Sequence, residues 1–554
     1  MVQNRRLVTS ALPYVNNLPH LGNIVGSLLG GDVFTRFSRM RGFDVTFICG
    51  TDEYGTASEI SADQNNTSPK ELCTKNSQKH KEVYDWFRIE CDNFGRTSTP
   101  AHTAMTQKLF LEMWNNGHFE EKTELRFFCE TCNMFLADRY VNGTCALCNS
   151  PHARGDQCDG CGAVLSMNEI KDTRCSTCSA PPGQRETVHL FYKLEDFQAQ
   201  ISEKISEYAP LWTNAAKGVA FDWQSKELHS RCISRDLKYR WGVPIPLKGY
   251  EGKVLYVWFD APIGYITFTD EIGRGEWWTD PSTDLYEFMG KDNVFFHSVF
   301  FPALLLGTNS TYNYPKIISS THYLMYEGGK FSKSQNRGIF GHNLLNDQIG
   351  PEGVWRFHLM KSRPEKNDSD FSWVDFAETV NAVLINTIGN FCNRVLSYIA
   401  KRMDRTLVGS NMSEEVESLV NGHLKEYIAH MERTDIRPAV QKITEISQLG
   451  NGYVQQAFAE KASPEKMKER MSTAANIVLL ISRILYPITP TEATKLHQMI
   501  TGSAEISLRD TFTCDLPEGH RINEPELLFK PLTNEQIINI KKLCINECPF
   551  VLKN

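Results

Sequence analysis

Four Cys-x-x-Cys pairs lie within one stretch of 50 residues, and they restrict the possible folds of this 554-residue chain more than any other sequence feature. The pairs are Cys129/Cys132, Cys145/Cys148, Cys158/Cys161 and Cys175/Cys178. Two such pairs supply the four thiolates of a tetrahedral structural zinc site. Disulfides are the alternative, but the other eight of the 16 cysteines are scattered, and the start of the chain lacks the apolar segment of a secretory signal. We therefore expect these eight cysteines to hold one or two structural zinc ions.

The spacing of the pairs does not decide which of them share an ion, because four pairs allow three arrangements. The residues between the pairs are rich in Gly, Asn and Asp and show little apolar pattern. Such a segment buries little apolar surface, so we expect bound metal to replace a hydrophobic core there.

A strand-to-helix turn near the start of the chain carries the motif PHLGN at residues 19–23. Residues 6–13 are β-branched and apolar and predict a buried strand, whereas residues 22–40 follow a helical pattern. One helix face gathers the apolar side chains Ile24, Leu28, Val33, Phe34 and Phe37. Free backbone N–H groups at such a turn favour phosphate. A capping turn with a structural histidine is the alternative.

A second motif, KFSKS at residues 330–334, follows Glu327-Gly328-Gly329 in a glycine-led loop. Lys330 and Lys333 can place positive charge where phosphoryl transfer develops negative charge. The alternative is a plain solvated surface loop. Taken together in this order, the two motifs indicate a nucleoside triphosphate site between a helix N-terminus and a lysine loop that can close.

This pair resembles the HIGH and KMSKS motifs of class I aminoacyl-tRNA synthetases, with HLGN and KFSKS in their places. Further segments resemble the methionyl-tRNA synthetases, in their eukaryotic cytosolic form: SALPYVNNLPHLGN, CGTDEYGTA, VWFDAPIGYI, KDNVFFHSVFFPALLLG and the cysteine array. The resemblance implies ATP-dependent activation of L-methionine to methionyl-adenylate and transfer to tRNA(Met) with a CAU anticodon, for translation initiation and elongation. A class I synthetase for another aliphatic amino acid and a non-catalytic RNA-binding relative are the alternatives.

The resemblance also implies roles for individual residues. The catalytic set is His20, Asn23, Lys330 and Lys333. The ATP-binding set is His20, Gly22, Asn23, Gly290, Asp292 and Lys333. The methionine-binding set is Leu12, Tyr14, Asp52, Trp258, Ala261, Pro262, Tyr265, His297 and Phe300, in which Asp52 holds the amino group. Mg²⁺ arrives with ATP, and Arg235 is a weaker phosphate candidate whose alternative is an ion pair. For the cysteines the resemblance favours a nested arrangement, with Cys145, Cys148, Cys158 and Cys161 on the inner ion.

Asn386, Asn390 and Arg394 are spaced four residues apart, so they share one face of a predicted helix. The resemblance implies that they read the anticodon, and a solvated polar face is the alternative. The family's aromatic Trp, which follows a Pro, is missing downstream of residues 451–454, and Phe458 is the candidate replacement.

The net charge of −7 excludes a uniformly basic surface, so RNA must bind to local patches. The candidate basic residues are Lys330, Lys333, Arg337, Arg356, Lys361, Arg363 and Lys366. The apolar run at residues 477–488 is too short to span a membrane. These features favour a cytoplasmic enzyme without a membrane segment and are compatible with a monomer.

The expected architecture is an α/β fold with a Rossmann-type parallel sheet, a zinc-knuckle insertion and an α-helical anticodon-binding bundle. The predicted divisions are a first Rossmann half at 1–118, the insertion at 119–230, a second Rossmann half at 231–325, a stem-contact segment with the lysine loop at 326–375, the helical domain at 376–520 and a tail that packs back at 521–554.

Overall fold

The computed structural model describes residues 4–546 except 156, 157, 159, 162, 164, 166–168, 333–336, 347 and 348. Within these residues, five parallel strands form the central sheet, in the order Ile317–Thr321, Thr283–Gly290, Arg5–Ser10, Asp44–Thr51 and Asn93–Arg96. The chain therefore builds outward in both directions from its first strand. This doubly wound order confirms the expected Rossmann-type α/β fold, and it places the ligand crevice at the carboxyl ends of the strands beside the switch point.

The helix that follows the first strand begins at Leu21 and continues to Met40, with one π-helical turn at Ile24–Leu28. All five side chains predicted for its inner face are buried. The first strand is buried on both sides by such helices, as parallel strands usually are. His20, just before the helix, has an extended backbone, so the chain turns sharply at the motif PHLGN.

The cysteine-rich insertion contains two antiparallel sheets. One is formed by Phe119–Cys129, Met134–Phe135, Gly183–Tyr192 and Arg231–Cys232, and the other by Val141–Cys145, Ala153–Arg154 and Ile170–Cys175. A small core separate from the main one packs here, and Cys129, Cys145, Cys158 and Cys175 are among its buried members. Because cysteines make up so much of this core, its stability depends on what binds their sulfur atoms.

Helices make up most of the remaining chain. Those of the α/β part are Thr56–Gln64, Pro69–Trp86, Pro100–Asn115, Gln198–Tyr208, Asn214–Gln224, Val257–Asp260, Ile263–Asp270, Phe296–Phe300, Phe301–Leu306, Gly341–Leu344 and Glu352–Lys361. Those of the C-terminal part are Trp373–Glu378, Thr379–Gly389, Asn390–Arg402, Glu414–Glu432, Ile436–Ala459, Pro464–Leu485, Pro490–Thr501 and Asn534–Asn546. None of the helices in the described ranges is long and apolar enough to cross a membrane.

The C-terminal segment returns to the rest of the chain. The Asn381 side-chain amide donates to the Leu532 carbonyl at 2.9 Å, and its oxygen accepts from the Leu532 backbone N–H at 3.1 Å. Helix Asn534–Asn546 then packs against helices Gly341–Leu344 and Trp373–Glu378. The last helix therefore supports the region that follows the lysine loop.

Two of the basic residues expected to meet RNA are in the core, so that expectation is wrong for Arg356 and Arg363. Arg356 donates to the Asp32 carboxylate at 2.7 Å and to the Ile488 carbonyl at 2.7 Å. Arg363 pairs with Glu365 at 2.8 Å. Residue type and net charge did not distinguish these arginines from surface ones. The Arg356 side chain joins the helix after PHLGN to the end of helix Pro464–Leu485.

We expect Arg356→Met to lower the free energy of unfolding by about 3–5 kcal/mol, because it removes one partner of a buried ion pair and leaves carbonyls without donors. Chemical denaturation of the variant measures this loss. Lys366→Ala, at an exposed position of the same segment, should change stability by less than about 0.5 kcal/mol. Equal effects of the two substitutions would contradict the buried role of Arg356.

Candidate active site

A cleft of about 610 Å³ opens at the carboxyl ends of the parallel strands. The two motifs, the end of strand Thr283–Gly290 and the turn after strand Arg5–Ser10 all contribute to its wall. Of the residues predicted for ATP, methionine or catalysis, those that line it are Leu12, Tyr14, His20, Gly22, Asn23, Trp258, Gly290, Asp292 and Lys330. Residues some 310 positions apart in the chain therefore surround one space.

His20 is held in place by aromatic neighbours and by the turn itself. The Phe331 ring stacks on its imidazole, with centroids 4.5 Å apart and planes 7° apart. The Asn23 amide oxygen accepts the His20 backbone N–H at 3.1 Å. Burial lowers the pKa of His20 to about 4, so the ring is neutral at pH 7. A neutral imidazole can donate one N–H to a phosphate oxygen.

Gly22 is required where it stands, because a Cβ atom there would lie 2.9 Å from Cε1 and 3.0 Å from Nδ1 of His20. We expect Gly22→Ala to displace the imidazole and to lower kcat for ATP–pyrophosphate exchange about 100-fold. Gly218→Ala is the control, since no atom lies within 4 Å of that position. An unchanged exchange rate for Gly22→Ala would show that the position of His20 does not matter.

The lysine loop lies beside His20. Its base is closed by paired backbone bonds of 2.9 Å between Ser332 and Arg337. Phe331 connects the loop to the first motif through its stack on His20. Lys330 is exposed at the cleft, with Nζ 5.9 Å from the centre of the Tyr323 ring. Lys333, the predicted transition-state residue, lies outside the described residues.

The end of strand Thr283–Gly290 forms the opposite wall. Both Asp292 carboxylate oxygens accept from the Tyr323 hydroxyl, at 2.6 and 2.7 Å. Lys291 stands over the same Tyr323 ring at 4.1 Å and lies 3.4 Å from Asp368. Asp292 is thus held at the rim by a tyrosine that was not predicted. A carboxylate in this place suits the hydroxyls of a ribose.

A second, small cavity of about 10 Å³ adjoins the cleft. It is lined by Ala11, Leu12, Asp52, Trp258, Ala261, Pro262, Tyr265, Asn293 and His297. Ala11, Leu12, Trp258 and Asn293 line both spaces. Most of the predicted methionine set is therefore brought together here. The cavity is smaller than a methionine side chain, so its walls must move for one to enter.

Aromatic packing closes this cavity. The Trp258 indole stacks on Phe296 with centroids 3.7 Å apart, and Tyr14 meets Trp258 edge-on at 6.1 Å. Phe300 is the exception among the predicted residues, because its ring packs against Phe295 and Phe296 and lines neither space. Phe300 is the last residue of a π-helical turn at Phe296–Phe300, an irregularity that the sequence analysis did not predict.

Asp52 supplies a buried carboxylate at the end of strand Asp44–Thr51. Its Oδ1 atom has no hydrogen-bond partner among the described residues. Burial, with Asp260 and Glu53 nearby, raises the pKa of Asp52 well above its usual value, although a Tyr14 hydrogen bond opposes this shift. An ammonium group is the natural partner for such a site, because it would satisfy both the free oxygen and the charge.

His297 and Tyr265 form a fixed polar pair among apolar neighbours. The His297 Nδ1–H donates to the Asn293 carbonyl at 2.8 Å, so Nε2 accepts from the Tyr265 hydroxyl at 2.9 Å. Burial lowers the pKa of His297 to about 4, and the ring stays neutral. The pair gives the cavity polar atoms without placing a charge beside a soft thioether.

The cysteines form two groups of four. One contains Cys129, Cys132, Cys175 and Cys178, and the other contains Cys145, Cys148, Cys158 and Cys161. This is the nested arrangement that the resemblance favoured. Within each group all sulfur atoms lie within 4.8 Å of one another, with measured separations of 3.4, 3.7 and 3.9 Å. Zn–S bonds of about 2.3 Å in a tetrahedron place sulfurs about 3.8 Å apart, so both groups fit zinc.

The residues predicted for the anticodon lie at the surface of the helical part. Asn386 and Asn390 are exposed, and Asn390 lies 3.4 Å from the Asn451 side chain on helix Ile436–Ala459. Phe458, on the same helix, is 48 % exposed, and the Arg394 guanidinium stands 5.8 Å from its ring centre. Two helices therefore bring amides, a guanidinium and an aromatic ring to one surface.

Arg235 does not line the cleft. It pairs with Asp138 through Nε, at 3.0 and 3.1 Å, and stacks over Tyr256 at 4.0 Å. The ion-pair alternative is correct for this residue. Several cleft residues were absent from the predictions, among them His80, Asn293 and Tyr323. Asn293 and Tyr323 lie within three residues of the carboxyl ends of strands Thr283–Gly290 and Ile317–Thr321, which is the signal that could have found them.

Two family models match the chain. "tRNA synthetases class I (M)" matches residues 6–396, and "Anticodon binding domain of methionyl tRNA ligase" matches residues 407–543. Among similar proteins, a probable cytoplasmic methionine–tRNA ligase of Encephalitozoon cuniculi is 42 % identical, covering 97 % of this chain and 98 % of its own length. The cytoplasmic methionine–tRNA ligase of Arabidopsis thaliana is 41 % identical, covering 97 % of this chain and 70 % of its own length.

The fold resembles a solved structure as well. The methionyl-tRNA synthetase of Mycobacterium tuberculosis, bound by methionyl-adenylate, aligns with a TM-score of 0.77 at 20 % identity. The alignment covers 95 % of this chain and all of the other. At this identity the likeness concerns the fold.

Proposed function

The chain belongs to the methionyl-tRNA synthetase family, and from that membership we propose how its own residues activate L-methionine with ATP and pass it to tRNA(Met). It is an aminoacyl-tRNA synthetase that forms methionyl-adenylate and then methionyl-tRNA. The observation that carries the assignment of residues is the junction of the two cavities at Ala11, Leu12, Trp258 and Asn293. A methionine held by its amino group in the small cavity would place its carboxylate next to phosphate in the large cavity.

In the proposed first step, Asp52 binds the methionine ammonium, and the thioether lies among Leu12, Trp258, Ala261, Pro262, Tyr265 and His297. The methionine carboxylate attacks the α-phosphorus of ATP, the bond to the β-phosphate oxygen breaks, and pyrophosphate leaves. His20 and Asn23 donate hydrogen bonds to phosphate oxygens, while Lys330 and Lys333 offset the negative charge that develops. Gly22 allows close approach, and Gly290 and Asp292 bind the ribose side.

Tyr14 and Phe300 support this pocket from outside the small cavity. Tyr14 donates to Asp52, and Phe300 supports the aromatic layer behind Trp258. In the second step, a terminal hydroxyl of tRNA attacks the methionyl carbonyl and AMP leaves.

Two metals accompany this proposal. The thiolate groups suit two structural zinc ions, which would hold the insertion in shape and leave no position open for water. Mg²⁺ arrives with ATP and neutralises phosphate charge. Among the residues that line the cleft, the carboxylate is that of Asp292, and its oxygens already accept from Tyr323. We therefore propose no protein ligands for Mg²⁺.

We assign the CAU anticodon to the surface formed by Asn386, Asn390 and Arg394, with Phe458 as its stacking platform. Exposed amides can read the edges of splayed bases, and an exposed ring beside a guanidinium can stack on one. The supporting observation is the Arg394–Phe458 contact between two helices.

Phe458→Ala should raise the KM for tRNA about 5- to 150-fold, because stacking contributes about 1–3 kcal/mol per base. Aminoacylation kinetics measure the change, and pyrophosphate exchange, which needs no tRNA, should stay the same. Leu419→Ala, at a side chain with a similar exposure of 50 %, is the control. A tRNA KM equal to that of the unchanged protein would reject Phe458 as the platform.

We propose the domain divisions 1–118, 119–230, 231–325, 326–375, 376–520 and 521–554 for this enzyme. The end of helix Pro100–Asn115 supports the division at 118/119. The division at 375/376 falls inside helix Trp373–Glu378. We also propose a cytoplasmic monomer, and the similarity to cytoplasmic methionine–tRNA ligases supports the compartment.

The deciding experiment is exchange of pyrophosphate into ATP with purified protein and single amino acids. We expect exchange with methionine and none with leucine or valine. Exchange with another aliphatic amino acid instead would support the first alternative, and no exchange with any amino acid would support a non-catalytic RNA-binding relative.

A further inference from the structure

The loop at residues 15–18 leads from the first strand into the motif PHLGN, and residues 16–18 of it line the cleft. Side chains from helices Thr56–Gln64 and Pro69–Trp86 hold this loop by its backbone. Three consecutive carbonyl groups accept hydrogen bonds from them: Val15 from Asn76 at 2.6 Å, Asn16 from Ser61 at 3.0 Å and Asn17 from His80 at 2.8 Å. The path of the chain into the first motif is therefore set from outside the motif.

His80 is the buried member of this set, and it also lines the cleft. Its Nε2 atom faces the Asn17 carbonyl oxygen, which can only accept, so Nε2 carries the proton and donates. Nδ1 accepts from the Tyr84 hydroxyl at 2.9 Å, and Tyr84 is also buried, one turn along the same helix. Tyr84 therefore fixes the tautomer and the orientation of His80. Burial lowers the pKa of His80 to about 4, so the ring is neutral at pH 7, as this arrangement requires.

Helix Pro69–Trp86 also contacts the segment that follows the lysine loop. A Cβ atom on Gly341 would lie 2.5 Å from Cγ2 of Val83, so this segment packs directly on the helix. The Gly341 N–H donates to the Pro19 carbonyl at 2.7 Å, which joins the same segment to the first motif. One helix thus supports both parts of the chain that surround His20.

We propose that His80 is a positioning residue for methionine activation, which holds the loop at residues 15–18 and thereby His20 in place for phosphate. It acts through the Asn17 carbonyl, without contact to the reacting atoms. When that carbonyl loses its donor, the backbone between Asn17 and His20 is free to shift, and a displacement of about 1 Å in such a site can slow a reaction about 100-fold. This inference rests on the proposed function, because it assigns His80 to the same reaction.

Two conservative variants separate this role from simple space filling. In His80→Gln the amide nitrogen can take the place of Nε2 and donate to the Asn17 carbonyl, whereas the shorter side chain of His80→Asn does not reach it. We expect kcat for methionine-dependent pyrophosphate exchange to fall about 10- to 100-fold in His80→Asn and less than about three-fold in His80→Gln. The KM for methionine should stay within about two-fold in both variants, because His80 does not line the small cavity.

Tyr84 acts in this scheme only through His80, and a double-mutant cycle tests that dependence. Tyr84→Phe should lower kcat about two- to ten-fold in the otherwise unchanged protein, because the imidazole loses the donor that orients it. The same substitution should have no further effect in His80→Asn, where the bond to the Asn17 carbonyl is already lost. A structural contribution of Tyr84 that is independent of His80 would lower kcat by the same factor in both backgrounds, which would contradict the proposal.

His520→Asn is the matched control, because His520 Nε2 also donates to a backbone carbonyl, that of Ile500 at 2.6 Å, and His520 does not line the cleft. It should exchange pyrophosphate at the rate of the unchanged protein.

Exchange by the unchanged full-length protein tests the proposed function itself, so its failure is distinct from a failure of this inference. If the unchanged protein is active, equal rates in His80→Asn and His80→Gln would overturn the role of His80. An unchanged kcat in Tyr84→Phe would overturn it as well, and that measurement does not depend on the folding of any His80 variant.

Discussion

Replacing Asp52 with asparagine should lower kcat/KM for methionine about 100- to 1000-fold, with little change in the KM for ATP. Loss of one partner of a buried, hydrogen-bonded charge pair costs about 3–4 kcal/mol, and each 1.4 kcal/mol is a factor of ten. Asp52 is buried with one oxygen unpaired among the described residues, so the methionine ammonium would supply its missing partner. Methionine-dependent pyrophosphate exchange measures the effect.

The same variant should keep or gain thermal stability, which separates lost binding from misfolding. The pKa of Asp52 is raised in the folded state, so the stability that its carboxyl contributes is greatest at low pH and is lost as pH rises. At neutral pH an asparagine avoids the cost of burying that charge. A lower melting temperature together with lost activity would contradict this interpretation.

Asp52 also predicts the pH dependence of methionine binding. Only the ionised carboxylate can pair with the ammonium, and the raised pKa means that protonation begins above the usual range of an aspartate. The KM for methionine should therefore rise as pH falls, before ordinary carboxylates titrate. Asp63→Asn is the control, because Asp63 is partly exposed and pairs with Lys238 at 2.7 Å.

The parts of this site that the sequence predicted are those fixed by local patterns. The strand before PHLGN and the helix after it follow from apolar periodicity. Asp52 and Gly290 were implied by the resemblance, and the structure has both at strand ends. Parallel strands bring such ends together whatever the loops do. The order of the strands then makes a single cleft from distant segments.

The parts that the sequence did not predict depend on tertiary packing. Arginine is usually a surface residue, but Arg356 is buried. Its partners Asp32 and Ile488 come from elements that are distant in the sequence. Tyr323 holds Asp292 from the end of the neighbouring strand, and Phe300, the last residue of the π-helical turn at Phe296–Phe300, lines neither cavity. No local pattern contains these contacts, because the partners are brought together only by the folded chain.

Replacing Cys145 with alanine should remove one of two zinc ions and unfold the inner part of the insertion. Structural zinc contributes about 10–16 kcal/mol to small metal-bound domains, far more than the small core around Cys145 can supply. Metal analysis of the unchanged protein should give about two zinc ions per chain, and the variant about one. Hydrogen exchange should rise at residues 141–175 in the variant.

The Cys145 variant should lose zinc but keep most of its methionine activation, because the insertion packs as a separate core outside the parallel sheet. We expect methionine-dependent pyrophosphate exchange to fall much less than zinc content. Cys514→Ala is the matched control, since that cysteine is exposed and belongs to neither group, and it should keep both ions. Fewer than one zinc per chain in the unchanged protein would reject the metal sites, and an equal loss of zinc from both variants would reject the assignment of Cys145 to one of them.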